Sequence, residues 1–114
     1  MSLISIINQY YESSSSVTEQ YKSNKRKFVN QLKKYFGKEN IIVNSCPHFE
    51  FTGFIKNNNK LVYFSTGDLR WRASMLIRTA NNEKDYTGGM NNFIDYRSDN
   101  FDNLFIEKVK NLTK

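Results

Sequence analysis

The chain has 114 residues and a formal net charge of +6, and 15% of its residues are aromatic. That length predicts a single domain, residues 1–114, with one modest core, and the aromatic content excludes an intrinsically disordered chain. We expect no membrane partner, because no stretch approaches the ~20 apolar residues of a membrane helix, and the single cysteine predicts a reducing, cytoplasmic location without an internal disulfide.

The N-terminal third of the chain carries most of the positive charge. Residues 1–38 contain seven cations and two acids, whereas residues 39–114 contain ten cations and nine acids. No acid lies between Glu19 and Glu39. Like charges repel one another, so such a block favours a role in attracting a polyanion. Its seven cations are Lys22, Lys25, Arg26, Lys27, Lys33, Lys34 and Lys38.

The same segment has the periodicity of an amphipathic helix. Apolar residues recur at alternating spacings of four and three through the first 35 residues, which predicts one buried face. Gly37 is expected to end the helix as a left-handed residue, which places Lys33 and Lys34 in the last turn. Four serines, residues 13–16, leave open a single long helix or two helices with Ser16 as the second N-cap. The apolar stripe is expected to pack in the core, and a coiled-coil partner is the alternative.

From residue 41 the apolar period changes to two, which predicts β-strands. The connections are short and polar, at residues 57–59 and 66–68, so the strands should form an antiparallel meander. Residues 90–97 are expected to form either a fifth strand or an irregular return. The four predicted strands are residues 41–45, 48–56, 60–65 and 70–80.

A second amphipathic helix is predicted at the C-terminus. Ser98 is a natural N-cap, and Asp99 and Asp102 then lie in a first turn that favours anions. The whole pattern predicts an α+β fold: an N-terminal helix or helix pair, a meander of four to five strands and a C-terminal helix packed on the sheet. The predicted core contains Phe28, Leu32, Trp71, Met75, Phe101, Leu104 and Phe105.

Three arginines alternate along the fourth predicted strand and should share one face of the sheet. Guanidinium groups contact phosphates well, and aromatic residues on neighbouring strands could stack on bases. The alternative is that these arginines pair with nearby acids or solvate the sheet. The arginines are Arg70, Arg72 and Arg78, and the aromatic candidates are Phe54, Tyr63 and Phe64.

The polar loop at residues 81–89 is a candidate contact for a protein partner, because binding residues concentrate on loops. Paired glycines allow a close backbone approach, and a tyrosine suits an interface. Met90 follows the glycines where a Walker loop needs Lys and Ser or Thr, so no nucleotide phosphate loop is predicted. The residues concerned are Lys84, Tyr86, Gly88 and Gly89.

No catalytic site, metal site or cofactor is predicted. Cys46 and His48 are the only residues of their types, and their spacing of two on a strand is too wide for a thiol–imidazole contact without a bend. Two ligands also do not complete a zinc site. A magnesium-dependent nuclease site would need a carboxylate cluster, and no spacing specifies one among Glu50, Asp68, Glu83 and Lys84.

These features favour a non-enzymatic protein that binds nucleic acid, or a nucleoprotein complex, through phosphate-directed contacts without sequence preference. One alternative is a small inhibitor or adaptor, of the anti-defence and anti-CRISPR kind, that docks on a larger protein or ribonucleoprotein. Another is a homodimer joined through the N-terminal helix. The composition resembles that of phage and mobile-element accessory proteins in general, but this resemblance covers no motif.

Overall fold

The chain folds as a helix, a five-stranded sheet and a second helix, and both helices pack against the sheet. A computed structural model describes Leu3 and residues 19–43, 50–67, 74–83, 89–95 and 100–114. The predicted α+β class is confirmed. The helices are α1 (Glu19–Phe36) and α2 (Phe101–Leu112), a short 3-10 turn spans Lys38–Asn40, and the strands are β1 (Ile41–Val43), β2 (Thr52–Asn57), β3 (Lys60–Ser65), β4 (Ser74–Ala80) and β5 (Asn92–Asp95).

The sheet is an antiparallel meander in which each strand pairs with the next along the chain. The β2–β3 turn contains Asn58 and Asn59, with φ angles of 56° and 63°. Asparagine tolerates this left-handed geometry, which confirms the predicted polar turn. At the other end of the hairpin, the Phe51 N–H donates to the Thr66 hydroxyl at 2.8 Å, and the Thr66 N–H donates to the Phe51 carbonyl at 3.1 Å.

An aromatic layer joins both helices to one face of the sheet, which we call the inner face. The Phe64 ring of β3 lies 6.0 Å from Phe28 of α1 and 6.2 Å from Phe105 of α2. All three side chains are buried. Because Phe64 lies against both helices, it couples their packing. Burying a side chain of this size contributes about 1.5–3 kcal/mol.

Most of the predicted core is confirmed, with one error. Phe28, Leu32, Met75, Phe101 and Phe105 belong to the buried cluster, but Leu104 is 41% exposed. The buried stripe of α2 repeats every four residues, at Phe101, Phe105 and Val109. Leu104 precedes one of these positions and therefore points away from the sheet. Trp71 lies outside the described residues.

Helix α1 ends where the sequence predicts. Gly37 has a φ of 96° and donates its N–H to the Lys33 carbonyl at 2.9 Å. Its ψ of 141° lies outside the left-handed helical region that was expected, in a region that glycine alone adopts readily. Lys33 and Lys34 occupy the last turn, as predicted. The start of this segment, including Ser16, lies outside the described residues.

Helix α2 begins later than predicted, because its N-cap is Asn100. Ser98 and Asp99 lie outside the described residues. Asp102 occupies the first turn, as expected, and its carboxylate accepts a hydrogen bond from the Leu3 N–H at 2.9 Å. This bond joins the start of the chain to the second helix.

The C-terminal end of α2 is attached to the β2–β3 hairpin. Thr113 is fully buried, and its hydroxyl donates to the Val109 carbonyl at 2.7 Å. The Asn57 amide donates to the same hydroxyl at 2.8 Å, and the Asn58 amide donates to the Thr113 carbonyl at 3.0 Å. We call this group the hairpin clamp.

The predicted strand boundaries agree best with the structure where both ends of a strand are described. β3 matches its prediction, and residues 90–97 contain a true fifth strand, Asn92–Asp95. β2 starts at Thr52 rather than residue 48, because the Phe51 N–H bonds to the Thr66 hydroxyl instead of to a backbone carbonyl of the ladder. β1 is Ile41–Val43, and residues 44 and 45 of its predicted range, like the first part of the fourth predicted strand, lie outside the described residues. In the described part of the chain, no helix combines the length and apolar character needed to cross a membrane.

Candidate nucleic-acid interface

The solvent side of α1 carries the cations that the sequence singled out. Tyr21, Phe28 and Leu32 face the sheet and are buried. With 3.6 residues per turn, Lys25 falls beside this stripe and the other five cations fall further round the helix, with Arg26 and Lys34 nearest to its opposite side. We call Lys22, Lys25, Arg26, Lys27, Lys33 and Lys34 the α1 cationic surface; Lys25 and Lys33 are half-buried and the other four are exposed.

Three of the four exposed cations of this surface have no acid partner among the described residues. The fourth, Lys22, places its Nζ 3.5 Å from Glu19 Oε1, and both side chains are largely exposed. Such a pair contributes at most about 1 kcal/mol and weakens in salt. Arg26, Lys27 and Lys34 make no ion pair with any described residue. The positive field of α1 therefore points into solvent.

Of the strand arginines, Arg78 is described, and it does not extend this surface. Arg78 lies on the outer face of the sheet, opposite the helices, with its guanidinium carbon 4.7 Å from the centre of the Tyr63 ring. Its Nη1 donates to Asn91 Oδ1 at 3.3 Å, while its buried Nε has no hydrogen-bond partner among the described residues. Arg78 thus packs within the sheet, nearer to the alternative interpretation than to a phosphate contact. Arg70 and Arg72 lie outside the described residues.

The three aromatic residues expected to stack on bases are all buried, so that expectation is wrong. Phe64 belongs to the inner face, and Phe54 and Tyr63 pair on the outer face with ring centres 5.3 Å apart. Their exposed fractions are 1%, 0% and 9%, respectively. A base could not reach these rings without unpacking the sheet.

Two exposed apolar residues were missed by sequence reasoning. Phe93 of β5 is 64% exposed and Met90, just before that strand, is 84% exposed. Phe93 precedes the buried Ile94, so strand alternation places it on the outer face. The sequence predicted either a strand or an irregular return for residues 90–97, so the alternation that exposes Phe93 was not predicted.

The predicted partner-binding loop is described only at its ends. Lys84, Tyr86 and Gly88 lie outside the described residues. Gly89 is exposed and donates its N–H to the Thr79 carbonyl at 3.0 Å. A Cβ at Gly89 would lie 2.1 Å from Thr79 Oγ1, which confirms the expected close approach, here to another strand of the chain.

The apolar stripe between residues 19 and 36 packs in the chain's own core, as expected. The Phe28 ring stacks on Phe51 with centres 4.9 Å apart. A second helix could reach this stripe only by displacing the sheet. A homodimer through other parts of the N-terminal helix stays a prediction.

The described residues contain no group of three His, Cys, Asp or Glu side chains placed to hold a metal ion. Cys46, His48, Asp68 and Lys84 lie outside them, so neither the thiol–imidazole pair nor the carboxylate set can be assembled here. Comparison of the chain with protein-family models, with curated proteins and with solved structures found no match.

Proposed function

We propose that this protein is a non-enzymatic nucleic-acid-binding protein that contacts phosphates through the α1 cationic surface. The observation that supports this proposal is the placement of Arg26, Lys27 and Lys34, which are exposed on one helix and have no described acid within ion-pair distance. The 18 residues of α1 span about 27 Å, which is long enough to follow several phosphates.

The chemistry of this surface favours binding without sequence preference. Five of its six cations are lysines, which act on phosphates as compact point charges. Base reading requires paired hydrogen bonds to base edges, whereas stacking on aromatic rings tolerates any base. Phe54 and Tyr63, the rings proposed for stacking, are buried. Binding should therefore depend steeply on salt and should occur with either DNA or RNA, alone or within a nucleoprotein.

The test is a charge reversal on α1, measured by fluorescence anisotropy with labelled DNA and RNA over a salt series. The double variant Arg26→Glu and Lys34→Glu should weaken binding at least about tenfold, or roughly 1.4 kcal/mol. The slope of log affinity against log salt should fall by about 2 for duplex DNA, because each lost phosphate contact removes about 0.9.

The matched control reverses two cations on the other helix, Lys108→Glu and Lys110→Glu. Both double variants reduce the net charge by the same amount, so a general charge effect would weaken them equally. Equal losses, or the absence of salt-sensitive binding by the unaltered protein, would contradict the assignment to α1.

A second function, an inhibitor or adaptor that docks on a larger protein, is favoured by the exposed Met90 and Phe93 beside the 81–89 loop. Exposed large apolar side chains suit a protein interface. The test is a pull-down from host lysate in which Phe93→Ser loses a specific protein while nucleic-acid affinity stays unchanged. If no protein is retained specifically by the unaltered chain, this second function is contradicted.

A further inference from the structure

An exposed aromatic ring lies on α1, beside the cations proposed to contact phosphates. Tyr35 is 48% exposed, and among the exposed large apolar side chains of the described residues it is the one on this helix. Its ring stacks on no other described ring, and its hydroxyl has no described hydrogen-bond partner. The side chain is therefore free to contact a ligand.

The backbone around Tyr35 is held in place by its neighbours. Phe36 is buried in the core, and its carbonyl accepts a hydrogen bond from Asn40 Nδ2 at 2.6 Å. The Gly37 N–H donates to the Lys33 carbonyl at 2.9 Å, which closes the last turn of the helix. A ligand that contacts Tyr35 has to order one side chain and no backbone, which limits the entropic cost of binding.

Two cations of the α1 cationic surface follow Tyr35 round the helix. Tyr35 comes seven residues after the buried Phe28, so it lies at the edge of the apolar stripe, in the last turn. With 3.6 residues per turn, Lys27 and Lys34 lie about 80° and 100° further round, in the same direction. Along the helix axis, Lys34 lies within about 2 Å of Tyr35 and Lys27 about 12 Å from it. The order round the helix is therefore stripe, ring, cations.

The charges beyond the ring nearly cancel. Lys38 and Glu39 are both exposed in the 3-10 turn after α1, and neither makes an ion pair with a described residue. Tyr35 therefore lies between a turn whose charges sum to zero and the exposed cation of Lys34. An uncharged base suits this position better than a phosphate does, and the attached phosphate is drawn towards the lysines.

We propose that Tyr35 stacks on a base of a single-stranded nucleic acid whose phosphates are bound by Lys27 and Lys34. The inference rests on the proposed function, because it assigns a further contact to the same surface. Every base has a face that an aromatic ring can stack on, and a single strand presents these faces, whereas a duplex covers them. The ring therefore adds affinity for single strands that duplexes do not receive, without a preference for sequence.

The test compares two labelled probes of equal charge by fluorescence anisotropy: an oligothymidylate and an abasic strand of the same length. The unaltered protein should bind the oligothymidylate at least about fivefold more tightly, because it alone carries bases. Tyr35→Ala should lower its affinity for the oligothymidylate by the same factor and leave its affinity for the abasic strand unchanged. Tyr35→Phe keeps the ring and should bind both strands as the unaltered protein does.

Phe93→Ala is the matched control, since it removes a ring that is 64% exposed on β5 instead of α1. Equal affinity of the unaltered protein for the two strands would overturn the stacking contact while leaving the proposed function in place. Equal losses in Tyr35→Ala and Phe93→Ala would overturn it in the same way. Absence of binding to both strands would contradict the proposed function together with this inference.

The salt dependence and a duplex separate the ring from the cations. Tyr35→Ala should leave the slope of log affinity against log salt unchanged, because stacking releases no counterions. It should also change the affinity for a duplex of the same length by less than about twofold. Lys27→Gln should instead weaken the oligothymidylate and the abasic strand by the same factor and reduce the slope for both. An equal loss of single-strand and duplex affinity in Tyr35→Ala would overturn the proposal.

Discussion

The two helices pack on the same face of the sheet but present different surfaces to solvent. Each buries residues spaced mainly by four, such as Phe28 and Leu32 on α1 and Phe101 and Phe105 on α2. Outside its buried stripe, α1 carries six cations and a single acid, whereas α2 carries two acids and two lysines. Since α2 packs with balanced charge, packing alone does not require the cations of α1. Packing therefore does not explain why the cations are concentrated on α1.

The helices also differ in how they end. Glycine at position 37 ends α1 through a backbone conformation that depends on that residue alone. Helix α2 ends in the hairpin clamp, where Thr113 meets Asn57, 56 residues earlier in the chain. A local device therefore ends one helix and a long-range contact ends the other. Four measurements sharpen the comparison of the two helices.

The largest effect is expected from the buried side of α1. Leu32→Ala should reduce the free energy of unfolding by about 2–5 kcal/mol, because it leaves a cavity at a fully buried site. Leu104→Ala on α2, the same change at a 41% exposed site, should cost less than about 1 kcal/mol. Urea unfolding followed by circular dichroism measures both. Equal losses of stability would show that Leu32 and Leu104 do not differ in their packing.

The hairpin clamp should produce the next largest effect. Thr113→Val removes the hydroxyl that accepts from Asn57 and donates to Val109, and it should cost about 1–3 kcal/mol, because the Asn57 amide loses its partner while the Val109 carbonyl keeps only the backbone N–H of residue 113. A double-mutant cycle with Asn57→Ala isolates the contact. Additive losses in the double variant would contradict a direct bond between the hairpin and α2.

Gly37→Ala should cost about 1–2 kcal/mol, because alanine is strained at a φ of 96°. The new methyl group would also lie 3.1 Å from Glu39 Oε1, which can move, and from Asn40 Nδ2, which donates to the Phe36 carbonyl at 2.6 Å. Thermal unfolding measures the loss, with the exposed Lys38→Ala as the neighbouring control. A stability equal to that of the unaltered chain would contradict the inference that the backbone conformation of Gly37 ends α1.

The smallest effect on folding is expected from the α1 cationic surface. Arg26→Gln and Lys27→Gln should each change the free energy of unfolding by less than about 0.5 kcal/mol, since both side chains are exposed and without a described ion-pair partner. Glu107→Gln on α2 is the comparison. A loss above about 1 kcal/mol in either α1 variant would show that these cations stabilise the fold.

The candidate site was predicted in part. The helical period placed the cations of α1 opposite its apolar stripe, and the structure has Arg26 and Lys34 exposed there. The role of Arg78 depended on which strand residue it would face, and the register placed it opposite Tyr63. Phe93 was missed because a four-residue strand carries too short an alternation to separate it from a loop.

The sequence by itself determined the features that depend on neighbouring residues: the α+β order, the bounds of β3, the left-handed turn at Asn58 and Asn59, and the end of α1 at Gly37. Periodicity and the conformational range of single residues are local properties, so they can be read along the chain. Only the tertiary structure decided that Phe54 is buried and that Thr113 binds the hairpin. These features depend on strand register and on contacts between distant segments, whose free energies no local pattern records.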